Sequence, residues 1–258
     1  RAYYIAATIK DPVSAMLLFF VAVLMVILAT YLLFISGSVT LCKTLQKDEK
    51  FYYKKRNFVS LSSLTYRMKR NGAGLASICI LSTMVLVMLA STASLYFGAE
   101  DAISTLAVQN QWHPNDIADI RTEFFSLYGS LFFLGILLSV LFLFATLLML
   151  YYKQVVEGYE DASRFAIMQR VGMTRRDIRE SVNAQMLLIF LLPLGAAALH
   201  LAFAQPMVWQ IMQLFGIQNL TLFLGVTGAA LLLFALLYCA MYRLTSNAYF
   251  RIVSTQNL

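Results

Sequence analysis

The residues best placed to do chemistry lie in one charged stretch, YYKQVVEGYEDASRFAIMQRVGMTRRDI, residues 151–178. Asp161 is suited to cap a helix beginning at Ala162. Phe165, Met168 and Val171 recur on one side of that helix, and Gly172 fits the C′ position that ends it. Thr174 and Asp177 then form a T-x-x-D capping box that starts the next helix at Arg175. The predicted product is a short, rigid, transverse helix with an apolar face and basic ends (Arg164, Arg170, Arg175 and Arg176). Phe165, Ile167, Met168 and Met173 would stand partly in water in so short a loop. Such exposure marks a docking surface. The chemistry of this stretch is recognition of another protein, with Asp161, Arg164, Phe165, Met168, Arg170, Gly172 and Met173 as its residues.

Bond-making chemistry finds little support elsewhere. No GxxxxGK[ST] phosphate loop, HExxH or GxSxG occurs, so no ATP, metal or other cofactor is expected to bind this chain. Cys42, Cys79 and Cys239 show neither disulfide nor metal spacing and read as buried free thiols. The two histidines are His113 and His200. His200 falls inside an apolar run, where an ionisable residue is a functional candidate. No Asp or Glu is expected in the same spans to pair with it, which disfavours an intramembrane enzyme. A neutral His bonded to a neighbouring helix is the simpler account. Pro193 should kink that run and Gly195 relieve crowding beside it. Simple bundle geometry is the plainer account of this run, and a gating hinge at Pro193, Gly195 and His200 is the alternative.

The elements that must position these residues follow from composition. Hydrophobic residues are 60% of 258 and charged residues 13%, which excludes a water-soluble globule. Charge-free runs at 12–42, 71–99, 124–152 and 181–242 hold one, one, one and two segments of about 20 residues, the length a bilayer core requires. Five helices are predicted: 13–36, 75–97, 127–151, 182–204 and 220–242. The fold class is an all-α membrane protein, because backbone polar groups cannot stay unpaired in lipid. Segments 43–70 and 153–180 carry nine and six Lys or Arg, the tail after 242 two, and the remaining segments three. That asymmetry puts the C-terminus in the cytoplasm and the N-terminus of this chain outside. Basic residues held in short loops between spans leave no role for nucleic acid.

Residues 57–70 place Phe58, Leu61, Leu64, Thr65 and Met68 near one helical face, with Tyr66, Arg67, Lys69 and Arg70 around the polar side. This predicts an amphipathic helix on the inner surface of the lipid bilayer. Span two is rich in Ser, Thr and Ala, which allow close helix packing. Segment 99–123 is a short acidic outer connection. QPMVWQIMQLFGIQN, residues 205–219, should lie in the outer interface through Trp209 and Phe215. Asn219-Leu220-Thr221 matches a glycosylation sequon by chance. A chain that starts outside on Arg1 without Met reads as the C-terminal part of a longer polytopic protein.

At Arg164–Ile178 the chain resembles the FtsX/MacB-type ABC permeases, whose second half carries a pattern like R-F-x-I-x-x-x-[VL]-G-M-[ST]-[RK]-[RK]-x-[IV]. It is more similar still to the bacitracin-resistance (Bce-type) permeases, through YYKQ…EGYED…RF…IMQ…VGM (151–173), the run 52–84 and LPL…H…AF (192–203). The resemblance implies ten spans, these being the last five, with one helix and a linker at 1–56 and an FtsX-like unit at 57–258. It implies a cytoplasmic ABC ATPase subunit docking on 161–173, with ATP and Mg in that partner. ATP hydrolysis would move the permease and free lipid-linked cell-wall precursors from peptide antibiotics, in a bacterial cell membrane. A membrane histidine kinase is a further implied partner. The alternative is a non-transporting FtsX-like scaffold that signals to a kinase or cell-wall enzymes. The large extracellular domain of such permeases would belong at 99–123, where this chain has 25 residues.

Overall fold

The computed structural model describes residues 12–37, 40, 44, 47, 55–111, 113–170, 172 and 174–255. Side chains at 12–19, 55–71, 114–116, 188, 250–251, 253–255 and most positions from 163 to 185 lie outside this description. The described residues form helices and contain no strand: α1 Pro12–Leu32, continued by a π-helical turn Leu33–Gly37, α2 Lys55–Phe97, α3 Ala99–Asn110, α4 Pro114–Arg170, α5 Arg175–Leu214 and α6 Leu220–Thr255. Five apolar stretches are long enough to cross a membrane: Phe20–Gly37, Gly72–Phe97, Ile117–Ala162, Ile189–Leu214 and Leu220–Tyr249. The charge-free runs thus mark the spans in number and order.

Helix ends are set by local chemistry. Pro12 occupies the first helical position, where its missing N–H costs nothing. Gln111 closes α3 in the left-handed region (φ 52°), with its N–H on the Ala107 carbonyl. The α5–α6 connection is a Schellman turn: Gly216 (φ 81°) donates to Gln213 O at 3.1 Å and Ile217 to Met212 O at 3.2 Å. Ile217, the apolar residue that accompanies such a turn, is fully buried. Asn219 caps α6, its Oδ1 accepting the Leu222 N–H at 3.0 Å.

The chain divides into two compact units. The first comprises 1–27, 81–144 and 197–235, the second 28–80, 145–196 and 236–258. The first unit centres on Leu95, Ala99, Ala102, Tyr128, Val208, Met212, Ile217 and Phe223. Trp209 packs on Phe223 with ring centres 5.2 Å apart, and Tyr96 stacks on Phe132 at 5.0 Å. The Tyr128 hydroxyl donates to the Phe215 carbonyl at 2.9 Å. Tyr128→Phe should cost about 1–2 kcal/mol, because it strips a donor from a half-buried acceptor. A thermal-unfolding midpoint in detergent equal to the wild type's would contradict this. Asp101 accepts the N–H groups of both Gln218 and Asn219 at 2.9 Å, so α3 clips the α5–α6 turn. Arg121 pairs with Glu100 across the α3–α4 connection.

Two connections are largely helical. The acidic connection 99–123 contains α3 and the start of α4. Residues 205–214 are the last turns of α5, with Met207, Val208 and Met212 buried. Their apolar side chains pack within their own unit. Cys79 is buried as expected, but Cys239 is exposed on α6.

In the second unit α1 and α2 meet at close range. The Tyr31 hydroxyl lies 2.9 Å from Ser77 Oγ, and Ser77 Oγ donates to Ala73 O at 3.1 Å. Since Ser77 has one hydroxyl proton, Tyr31 is the donor. A Cβ at Gly72 would sit 2.9 Å from Phe34 O and 3.1 Å from Ile35 Cα. Phe34 itself is fully buried. Phe190 packs edge-on against Tyr238 and Tyr242, at 5.6 and 5.1 Å.

Candidate functional site: the α4–α5 turn and its root

The site grows from the final third of α4. Gln154, Glu157, Gly158 and Asp161 fall at intervals of three, one and three, which puts them on one helical face. Gln154, Glu157 and Asp161 are each at most 5% exposed, while Tyr151, Tyr152, Val156 and Tyr159 on the other faces are exposed. The polar side of this segment therefore turns inward, and its aromatic side outward. That inversion suits a helix in a lipid-facing setting.

The inward face meets α6. The Tyr249 hydroxyl donates to Asp161 Oδ2 at 2.8 Å, and Tyr249 is 1% exposed. A Cβ at Gly158 would stand 3.3 Å from the Tyr249 ring and 3.6 Å from Ile252. Glycine in mid-helix costs about 1 kcal/mol relative to alanine. Here a Cβ would crowd the ring that α6 lays over this position. Gly74 of α2 lies near the Lys153 ammonium, which a Cβ there would meet at 3.8 Å.

Asp161 consequently corrects one expectation. It does not cap a separate transverse helix, because α4 runs unbroken from Pro114 to Arg170. Its carboxylate is engaged by Tyr249, and the residues around it hold helical backbone bonds on both sides. The segment expected to form that separate helix is instead the last turns of α4. The stretch 57–70 is likewise the first part of α2, continuous with span two.

Beyond Asp161 the chain emerges. Ile167 is 60% exposed, and Arg170 and Gly172 are exposed too. Gly172 has φ 101°, a conformation that favours glycine, and ends α4 as its position predicts. Thr174 is exposed and directly precedes α5, which begins at Arg175. The side chains of Arg164, Phe165 and Met168, and all of Met173, lie outside the described residues, as do the side chains of Phe58, Leu61, Leu64 and Met68.

The hinge candidates are distributed rather than gathered. Pro193 is buried, Gly195 faces open space and His200 is half-buried. Pro193 and Gly195 belong to the second unit and His200 to the first. α5 is continuous through Pro193. Among the described residues no group of three or more His, Cys, Asp or Glu is arranged to hold a metal ion.

Gln154, Glu157 and Tyr249 were not singled out by the sequence pattern. A signal was available: Gln154, Glu157 and Asp161 repeat at helical spacing beside a mid-helix glycine. Their exposed alternatives, Tyr151, Tyr152, Val156 and Tyr159, are the apolar ones.

Residues 119–250 match the family model described as FtsX-like permease C-terminal. The match spans most of α4, the Gly172 turn, α5 and most of α6, including both Asp161 and Tyr249. The chain is also 26% identical over 108 residues to the ABC transporter permease protein YxdM of Bacillus subtilis (strain 168), covering 38% of this chain. The aligned part spans 17% of that relative's length. No solved structure matches the chain significantly. With over half of its residues inside that family's model and membrane-length helices on both sides of the exposed turn, this chain belongs to the FtsX-like permeases.

Proposed function

We propose that this chain is the membrane subunit of an ABC transporter, driven by a separate cytoplasmic ATPase that seats on residues 161–173. The observation that carries the reading is the exposed end of α4. There Ile167, at 60% exposed, stands beside Arg170 and the Gly172 turn, between two spans of an FtsX-like permease. An apolar side chain displayed among basic groups next to a membrane is an economical contact for a soluble partner. The relative YxdM, named as an ABC transporter permease protein, supports the same reading.

In this reading ATP and Mg bind the partner, and this chain binds no cofactor. Basic segments 43–70 and 153–180 face the cytoplasm of a bacterial cell, the C-terminus lies inside, and the N-terminus of this chain lies outside. Phe58, Leu61, Leu64 and Met68 rest on the inner leaflet. Work at the outer leaflet is resistance to bacitracin-like peptides, through their release from lipid-linked cell-wall precursors, with a histidine kinase reading the flux. The similarity of 151–173 and 52–84 to the bacitracin-resistance permeases supports that substrate class.

One observation favours a second reading. Segment 99–123 is short, and α3 is clipped onto the α5–α6 turn by Asp101, leaving little that could grip a peptide. A scaffold that signals to a kinase or to cell-wall enzymes needs no such grip. Loss of the protein separates the two: sensitivity to peptide antibiotics supports transport, whereas a shape or division defect supports signalling.

The docking test is direct. Phe165→Asp should abolish co-purification of the proposed ATPase partner, by placing a charge where an apolar contact is needed, while membrane insertion is unaffected. Equal ATPase recovery with wild type and variant would remove the docking reading.

A further inference from the structure

We propose that Tyr249 is a positioning residue for energy coupling: its hydrogen bond to Asp161 makes α6 the element that carries motion away from the docking turn. The inference rests on the docking reading above and deepens it.

Asp161 stands at the root of the docking segment, where α4 passes from its buried face to its exposed end. Its carboxylate is held by the Tyr249 hydroxyl at 2.8 Å, 88 residues away in sequence. Both side chains are almost wholly buried, at 5% and 1% exposure, so water does not compete for the bond. The same tyrosine ring rests over Gly158, one turn earlier on α4, with Ile252 beside it. α6 therefore touches α4 twice within one helical turn, through a polar tie and a ring-over-glycine contact. The polar tie resists sliding along the axis and rotation about it, which apolar packing alone permits. A displacement of residues 164–170 is thus delivered to α6 at Tyr249. The link through Gly172 to α5 is a turn, and turns transmit push poorly.

The fold supplies its own reporter. Cys239 lies on α6, ten residues before Tyr249, and is exposed, whereas Cys79 is buried. The experiment uses the full complex of permease and ATPase, with Cys42→Ser and a bimane label on Cys239. In the wild type, ATP should shift the bimane emission. Tyr249→Phe keeps the ring over Gly158 and removes only the hydroxyl. It should retain bound, ATP-hydrolysing partner, lose most of the ATP-driven shift, and lower peptide resistance roughly tenfold, as expected for one buried charge-assisted bond. Asp161→Asn keeps an oxygen acceptor and should restore the shift relative to Asp161→Ala, which a purely space-filling role would not produce.

A full emission shift in Tyr249→Phe, with the ATPase bound and active, overturns the proposal. Failure of any ATPase to co-purify with the wild type is a different result: it removes the docking reading, and this coupling route with it.

Discussion

Gly72→Leu should leave no monodisperse protein after detergent extraction. A Cβ at position 72 already falls 2.9 Å from Phe34 O, 3.1 Å from Ile35 Cα and 3.3 Å from Phe34 C. All three are backbone atoms, so no side chain can rotate away. α1 must retreat, and with it the fully buried Phe34 and the Tyr31–Ser77 hydrogen bond. The last turn of α1 is already widened to a π-helix over Leu33–Gly37, directly at this contact. Overpacking of a well-filled site costs about 1–3 kcal/mol and more where the backbone must shift. With Leu the cost should lie at or above the top of that range, a large part of a typical folding free energy. Gly72→Ala should be intermediate, folding with a lowered unfolding midpoint. Size-exclusion profiles of fluorescent fusions provide the check, and a wild-type peak and yield for Gly72→Leu would refute the close-contact account.

Gly135→Leu should come next in severity, for a related reason inside the first unit. A Cβ there would overlap both branches of Thr92 and stand 2.7 Å from its Cβ. Thr92 cannot swing clear cheaply, because it is β-branched and its hydroxyl donates to Met88 O at 2.8 Å. In lipid, helix association depends on van der Waals contact and on small residues at the crossing. Moving α4 off α2 therefore forfeits the contact that holds them. The same geometry predicts a rescue. Thr92→Gly with Gly135→Ala exchanges which helix supplies the bulk, and should be less destabilised than the sum of the single changes by about 1–3 kcal/mol. Thermal unfolding of the four proteins in one detergent measures that coupling. Strict additivity would mean the two positions do not touch.

The parts of this fold legible in the sequence are those decided locally or by solvent. The five spans follow from charge-free runs because lipid penalises every charge in the same way. Pro12, Gly172 and the start of α5 after Thr174 were readable because capping and turn chemistry act within a few residues. Asp161 was misread for the opposite reason. Seen beside Ala162 it is a good cap, but its partner is Tyr249, which only the packed bundle brings near. Gly158 looks like a helix breaker until the ring above it is known. Residues 205–214 carry no charge and a tryptophan, and only the packed helices show that Met207, Val208 and Met212 are buried. The exposed Ile167 was the most legible part of the proposed site, since an apolar side chain in a charged stretch is itself the signal. Its buried root was the least legible, since it depends on helices far apart in sequence.

The break between α3 and α4 has a practical corollary. Gln111 and His113 are exposed there, and Gln111 has already left the right-handed helical region. The bonds that secure this end, from Asp101 to the neighbouring turn and from Glu100 to Arg121, are made by other residues. A foreign module spliced between 111 and 113 would hang from the scaffold without loosening any of them. The molecule thus offers a graft point for an epitope, or for a sensor that reports from that side.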